Sequence, residues 1–219
     1  MSSTDREYQE ALARKLRSEA ILASHGLPVT GELACFAPAS RLRPRSPAEA
    51  INRAAAVSCI SHRAQLEQLG DLDLFMKEEG IFHFLTDDEK RYYFSPPEPD
   101  APHNAPYTWR IESAHALYWA LNHFVRLGYP DAPTDPKTLY HLFFVRGLAE
   151  FEAASRLRLP VEILDAADLY FRLLAVCRQR TGEEEGAIGM LAYPIVYERY
   201  VALCWLLGKG EWDHLQAHS

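Results

Sequence analysis

Apolar residues along this chain recur at helical rather than strand spacing, and polar punctuation marks where each helix starts. Thr4-Asp5-Arg6-Glu7 pairs a hydroxyl N-cap with an acid three residues on, the arrangement that satisfies orphan backbone donors, and predicts a helix to about Ser24, stopped by Gly26 before Pro28. Ser46, Pro47 and Glu49 give the same signal with a proline in the first turn, predicting a second helix that continues to Gly70. Between the two lies a loop of about 20 residues, long for a compact domain. A short helix follows from Asp71 to Glu79, and Thr86-Asp87-Asp88-Glu89 opens another.

The segment SPPEPDAPHNAP holds five prolines in residues 95–106 and reads as a stiff exposed flap over about 95–107. WRIESAHALYWALNHFVRL, Trp109 to Leu127, then predicts a buried central helix ending before Gly128 and Pro130. Asp135-Pro136 caps a further helix, and long ones are expected from about Val161 to Arg180 and from about Pro194 to Leu207, the last ending at Gly208. TGEEEGAIG between them reads as a glycine-punctuated surface loop. With no strand alternation and no internal repeat, the expected fold is all-α, a single-domain, non-repeating helical bundle over residues 1–219 with long irregular loops.

Composition narrows this picture without redirecting it. A 219-residue chain, 48% hydrophobic and 24% charged, is ordinary for a globular domain that carries its own core. The longest apolar run, Val201 to Leu207, falls far short of the roughly 20 residues a membrane span needs, so no membrane association is expected. The polar first residues carry no secretory pattern, and Cys35, Cys59, Cys177 and Cys204 form no C-x-x-C pair, which points to free thiols and a cytoplasmic protein. Net charge is −7 but uneven: residues 1–64 hold 9 Lys/Arg against 6 Asp/Glu, and residues 65–219 hold 14 against 24. The loop carrying Arg41, Arg43 and Arg45 is therefore a candidate surface for a protein partner, as is the proline-rich flap. Nucleic acid is not expected, because the chain as a whole is acidic and no aromatic-interleaved basic motif accompanies the arginines.

The informative residues are charges set inside otherwise apolar helices. At three-, four- and seven-residue spacing Glu112 shares a face with Trp109, Ala116 and Trp119, and Glu198 shares one with Val201, Ala202 and Trp205. Asp165, Asp168 and Arg172 line one side of their helix, with Asp168 and Arg172 in the favourable acid-first order. Arg53, Arg110 and Arg199 are further partners. Ions in such places persist either as a closed inter-helix network or as a site, so Glu112, Asp168, Arg172, Glu198 and Arg199 are the candidate catalytic or binding residues. Glu112 and His115 form a Glu-x-x-His pair of the kind that holds carboxylate-bridged metals, as do Glu211 and His214, whose position beyond two glycines spoils the bundle geometry. Cys59 and His62 stand one turn apart as a conceivable nucleophile and base. No phosphate loop, dinucleotide fingerprint, nucleophile elbow or H-E-x-x-H motif is present, and no cofactor is expected.

The order RKLRSEAILASHGLP, RSPAEAINRA, WRIESAHALYWAL, EILDAADLYFR and VYERYVALCWLL, followed by WD, resembles the family catalogued as domain of unknown function 4272 over about residues 14–213. The resemblance implies a widespread bacterial, largely helical domain with no established activity. It places weight on Arg45 and Ser46, on Trp109, Arg110 and Glu112, on Asp165 and Arg172, and on Glu198 and Arg199. The chain departs from the family pattern at Asn122, where glycine is expected. Abundant charge pairs without catalytic grammar favour a non-enzymatic interaction or regulatory protein. The alternative is an enzyme or a binder of small anionic ligands built on the Glu/Asp/Arg cluster.

Overall fold

In the computed structural model, residues 2–29, 32–66, 68–96, 102–179 and 191–216 are described. The TGEEEGAIG segment and the middle of the proline-rich flap lie outside them. Ten α-helices and no strand are found among the described residues: α1 Ser3–Ser24, α2 Pro47–Arg63, α3 Gly70–Glu78, α4 Asp87–Tyr93, α5 Ala105–Ala120, α6 Pro136–Phe143, α7 Gly147–Ala154, α8 Pro160–Gln179, α9 Tyr193–Leu206 and α10 Trp212–Gln216. The fold is all-α.

The five long helices pack in series: α1 on α8, α8 on α9, α9 on α5, and α5 on α2. Helices α3, α4 and α6, with a 3-10 turn at Ile81–Phe84, cover the far side of α2, and α10 closes over α9. Helices α8, α9, α5 and α2 are thereby flanked on both sides, and the sequences of α9 and α2 show how that is met. Ile195, Val196, Val201, Ala202, Leu203 and Leu206 of α9 are buried around the helix rather than along one stripe. On α2 the run Ala54, Ala55 and Ala56 is fully buried, and these short side chains leave α5 close enough for the Tyr118 hydroxyl to meet Ser58 Oγ at 2.9 Å. One contiguous core runs from Leu22 on α1 to Trp212 on α10.

The predicted capping boxes at Ser46 and Thr86 are both formed. Several boundaries differ from the sequence reading, for identifiable reasons. Helix α1 is capped by Ser2 with Asp5 as the reciprocal acid, two residues before the expected Thr4 and Glu7, because the chain offers two overlapping boxes. Helix α2 ends at Arg63 rather than Gly70: Gln65 and Leu66 turn back on His62 and Arg63 through backbone bonds, and Gly70 begins α3 instead. Helix α5 starts at Ala105, inside the expected flap and four residues before the expected Trp109, and ends at Ala120.

The early end of α5 is made by Asn122, where the resemblance implied glycine. It is the one non-glycine with positive φ (65°) among the described residues. Its N–H bonds Trp119 O at 3.0 Å and the His123 N–H bonds Tyr118 O at 2.9 Å, a Schellman closure of the last turn. Asparagine tolerates this left-handed position better than other side chains, and here its Nδ2 also donates to Arg156 O at 2.7 Å.

Candidate functional site

The charged candidates on α5 and α9 sort into two reciprocal pairs. Arg110 and Glu112 stand on α5 and Glu198 and Arg199 on α9, and each acid takes its base from the other helix. Arg199 Nη2 lies 2.8 Å from Glu112 Oε2, and Arg110 Nη1 lies 2.9 Å from Glu198 Oε1. All four side chains are at most about a tenth exposed.

The Glu112–Arg199 pair is fully enclosed by hydrogen bonds. Glu112 Oε1 accepts from the Thr134 backbone N–H at 2.6 Å, and Oε2 accepts from Thr134 Oγ1 at 2.8 Å and from Arg199 Nε at 3.0 Å. Arg199 Nη1 donates to Leu127 O and to the Tyr170 hydroxyl, which donates onward to Gly128 O. His115 Nδ1 stands 2.8 Å from Thr134 Oγ1. A pocket of about 300 Å³ opens beside this network, lined among others by His115, Phe124, Thr134, Asp131 and Arg199. Burial, with Arg199 nearby, lowers the His115 pKa to about 3, so its imidazole is neutral at ordinary pH.

That depression has a measurable sign. The unfolded chain binds a proton on His115 below about 6.5 while the folded chain does not, so the native state loses this contribution as pH falls from 6.5 toward 3. A His115→Gln variant is expected to lose less stability over that range than the parent. Urea midpoints at pH 7 and pH 5 decide it, and parallel losses in both proteins would exclude His115 as the source.

The Glu198–Arg110 pair is built differently. Glu198 has both oxygens engaged, Oε1 by Arg110 and Oε2 by Ser113 Oγ at 2.6 Å. Arg110 donates only that one hydrogen bond among the described residues, and its Nε is buried without an acceptor. Trp109, Tyr193, Tyr197, Pro106 and Pro194 surround a pocket of about 180 Å³ to which Arg110 and Glu198 also contribute.

Asp168 and Arg172 form the expected pair one turn apart, with two hydrogen bonds of 3.0 and 3.1 Å between fully buried side chains. Arg172 also donates to Ala34 O and lies 3.6 Å from Glu19 of α1. Arg172 Nη1 and Glu19 Oε1 are buried there without a hydrogen-bond partner among the described residues, and Asp165 turns away from the cluster to pair with Arg14 and Arg17. The five candidate residues are thus not one constellation: Glu112, Glu198 and Arg199, together with Arg110, zip α5 to α9, and Asp168 with Arg172 ties α8 to α1 and the loop after it.

The other candidates are accounted for individually. Glu112 is engaged by Arg199 and Thr134, and no group of His, Cys, Asp and Glu suited to a metal is present among the described residues. Cys59 is fully buried, which pushes its thiol pKa well up, and His62 is packed against Tyr140 and Phe144 with its pKa lowered by burial. An inert thiol beside a poor base is no nucleophilic pair. In the arginine loop Arg41 is exposed, whereas Arg45 bridges Glu49 and Glu211 and sits 5.1 Å over the Trp205 ring. Arg45, Arg53, Trp205 and Trp212 line a cleft of about 440 Å³ whose rim carries Glu49, Glu211 and Asp213.

Sequence reasoning missed Thr134, Ser113 and Tyr170, the neutral groups that complete these networks. The profile of the family described as Domain of unknown function (DUF4272) matches residues 14–215. The chain belongs to this family. Within the matched residues, WRIES and VYERY supply both reciprocal pairs of this DUF4272 chain. No curated protein and no solved structure matches the chain. No helix of this DUF4272 chain among the described residues is long and apolar enough to cross a membrane.

Proposed function

We propose that this DUF4272 chain is a non-enzymatic cytoplasmic binding protein, a regulatory or interaction module whose buried ion pairs hold its helices in register. One observation carries the reading: Glu112, Asp168 and Glu198 each have both carboxylate oxygens already engaged by donors of the fold. A general acid or base needs an oxygen within hydrogen-bond reach of a substrate proton, and every carboxylate oxygen of these three is already turned to a donor of the fold. The unused capacity at the site consists of N–H donors on Arg110 beside an aromatic pocket, which suits recognition rather than proton transfer. Cys35, Cys59, Cys177 and Cys204 form no disulfide, and Cys59 and Cys204 are buried, in keeping with a reducing compartment.

The test is a comparison of the parent with Glu112→Gln and Glu198→Gln, each incubated with a metabolite extract and followed by mass spectrometry. The expected result is that no metabolite is depleted by the parent and spared by a folded variant. Turnover that disappears in either variant while circular dichroism stays native would overturn the binding reading. A native mass spectrum of the same preparations is expected to retain non-covalent mass above that of the bare chain.

A further inference from the structure

Of the arginines buried at the α5–α9 interface, Arg199 is saturated and Arg110 is not. Arg199 donates to Glu112, Leu127 O, Tyr170 and Thr134, whereas Arg110 donates to Glu198 alone among the described residues. A guanidinium carries more N–H groups than that single bond engages, and a buried donor left without an acceptor is costly. Arg110 is only 9% exposed, its Nε is unpartnered, and it lines the pocket bounded by Trp109, Tyr193, Tyr197, Pro106 and Pro194.

The shape and chemistry of that pocket constrain what fits. Its volume of about 180 Å³ is slightly more than the roughly 150 Å³ known to accept a benzene ring. Tyr193 and Tyr197 stack with an interplanar angle of 14°, and with the Trp109 indole and two proline rings they favour a flat, apolar body. The polar end must accept hydrogen bonds, because Arg110 has donors to give while both Glu198 oxygens are engaged. A cation would face the guanidinium without a free carboxylate to meet it. A second anion would compete with Glu198 for a guanidinium whose charge that carboxylate already matches. A neutral oxygen acceptor meets neither objection.

We propose that this pocket binds a single-ring aromatic or heteroaromatic carbonyl compound, its ring against Trp109, Tyr193 and Tyr197 and its neutral carbonyl oxygen accepting from Arg110. The proposal rests on the binding reading above and names its ligand class.

The experiment uses the full chain with benzamide, benzoate and benzylamine as probes of one shape and three charges, followed by saturation-transfer NMR and titration. Benzamide is expected to bind at least about tenfold more tightly than either charged probe, with a dissociation constant in the millimolar range for so small a ligand. Tyr193→Ala removes a half-buried wall that carries no ion pair and is expected to weaken benzamide about tenfold. Arg110→Lys keeps the charge but loses the planar donor edge, and a similar weakening is expected. If the lysine variant fails to fold, Tyr193→Ala decides alone. Equal or tighter binding of benzoate or benzylamine, absence of benzamide binding, or benzamide binding unchanged in Tyr193→Ala overturns the proposal. None of these outcomes touches the non-enzymatic reading, which fails only on turnover lost in Glu112→Gln or Glu198→Gln.

Discussion

Replacing Glu112 by leucine is expected to lower folding stability by about 3–5 kcal/mol, the usual penalty for leaving one partner of a buried ion pair uncompensated. Arg199 would remain 2% exposed with its positive charge unpaired, and the Thr134 N–H and hydroxyl would lose their acceptor. Arg199→Met alone is expected to be equally damaging, since Glu112 is fully buried. The double variant is expected to recover much of the loss, because two apolar side chains of similar length need neither partner. Urea denaturation of the four proteins measures this cycle. A double variant no more stable than either single would mean that Thr134, His115 and Tyr170 depend on both charges, not that the charges depend on each other. By contrast, the Arg6–Glu10 pair on the surface of α1 has side chains 74% and 57% exposed, and its removal is expected to change stability by less than about 1 kcal/mol.

The difference between those two pairs also explains what could be read from the chain. Helix starts were legible where the satisfying group is local, as at Ser46 with Glu49 and at Thr86 with Glu89. Helix α7 was not legible, because its first turn is capped from afar: the Leu148 N–H donates at 3.0 Å to Glu79, sixty-nine residues away at the end of α3. Glu89 shows the two roles combined. It closes the capping box of α4 and also pairs with the buried Arg53 of α2, so a residue read as local grammar is a tertiary tie as well. The α5 terminus was misplaced because the expected stop was glycine, and asparagine performed it.

At the candidate site, helical spacing identified the buried charges but not their partners. Glu112 and Glu198 look alike in sequence, each a single acid amid aromatic and aliphatic residues. Their difference lies in what the rest of the fold brings to them: Thr134, from the DAPTDP loop, encloses Glu112, while Ser113 supports Glu198 and leaves Arg110 with open donors. Neither Thr134 nor Ser113 carries a charge or a motif, and small hydroxyl residues are common in loops and helices alike. Only the three-dimensional contact separates a closed network from one with unused donors.

The second large effect concerns the join between the arginine loop and α9. Gly208→Ala is expected to destabilise the fold by about 3 kcal/mol or more, combining a left-handed backbone penalty with a backbone collision. Gly208 has φ of +70°, and a Cβ placed there would stand 2.0 Å from the Arg43 carbonyl oxygen. That oxygen belongs to backbone and has no rotamer to adopt, so the loop itself must retreat. Retreat strains the bonds that dock the loop, Arg43 N–H to Leu207 O at 3.2 Å and Arg45 N–H to Leu206 O at 2.8 Å. Arg45 would then be displaced from Trp205, Glu49 and Glu211, which opens the cleft between α2 and α10. Gly128→Ala is the matched control: its φ is +77°, but nothing lies within 4 Å of the added methyl, so only the conformational penalty of about 1–2 kcal/mol applies. Thermal and urea unfolding of the two variants side by side separate collision from conformation. Equal losses would mean that the loop yields freely, and the two backbone bonds would then contribute little to holding Arg45 in place.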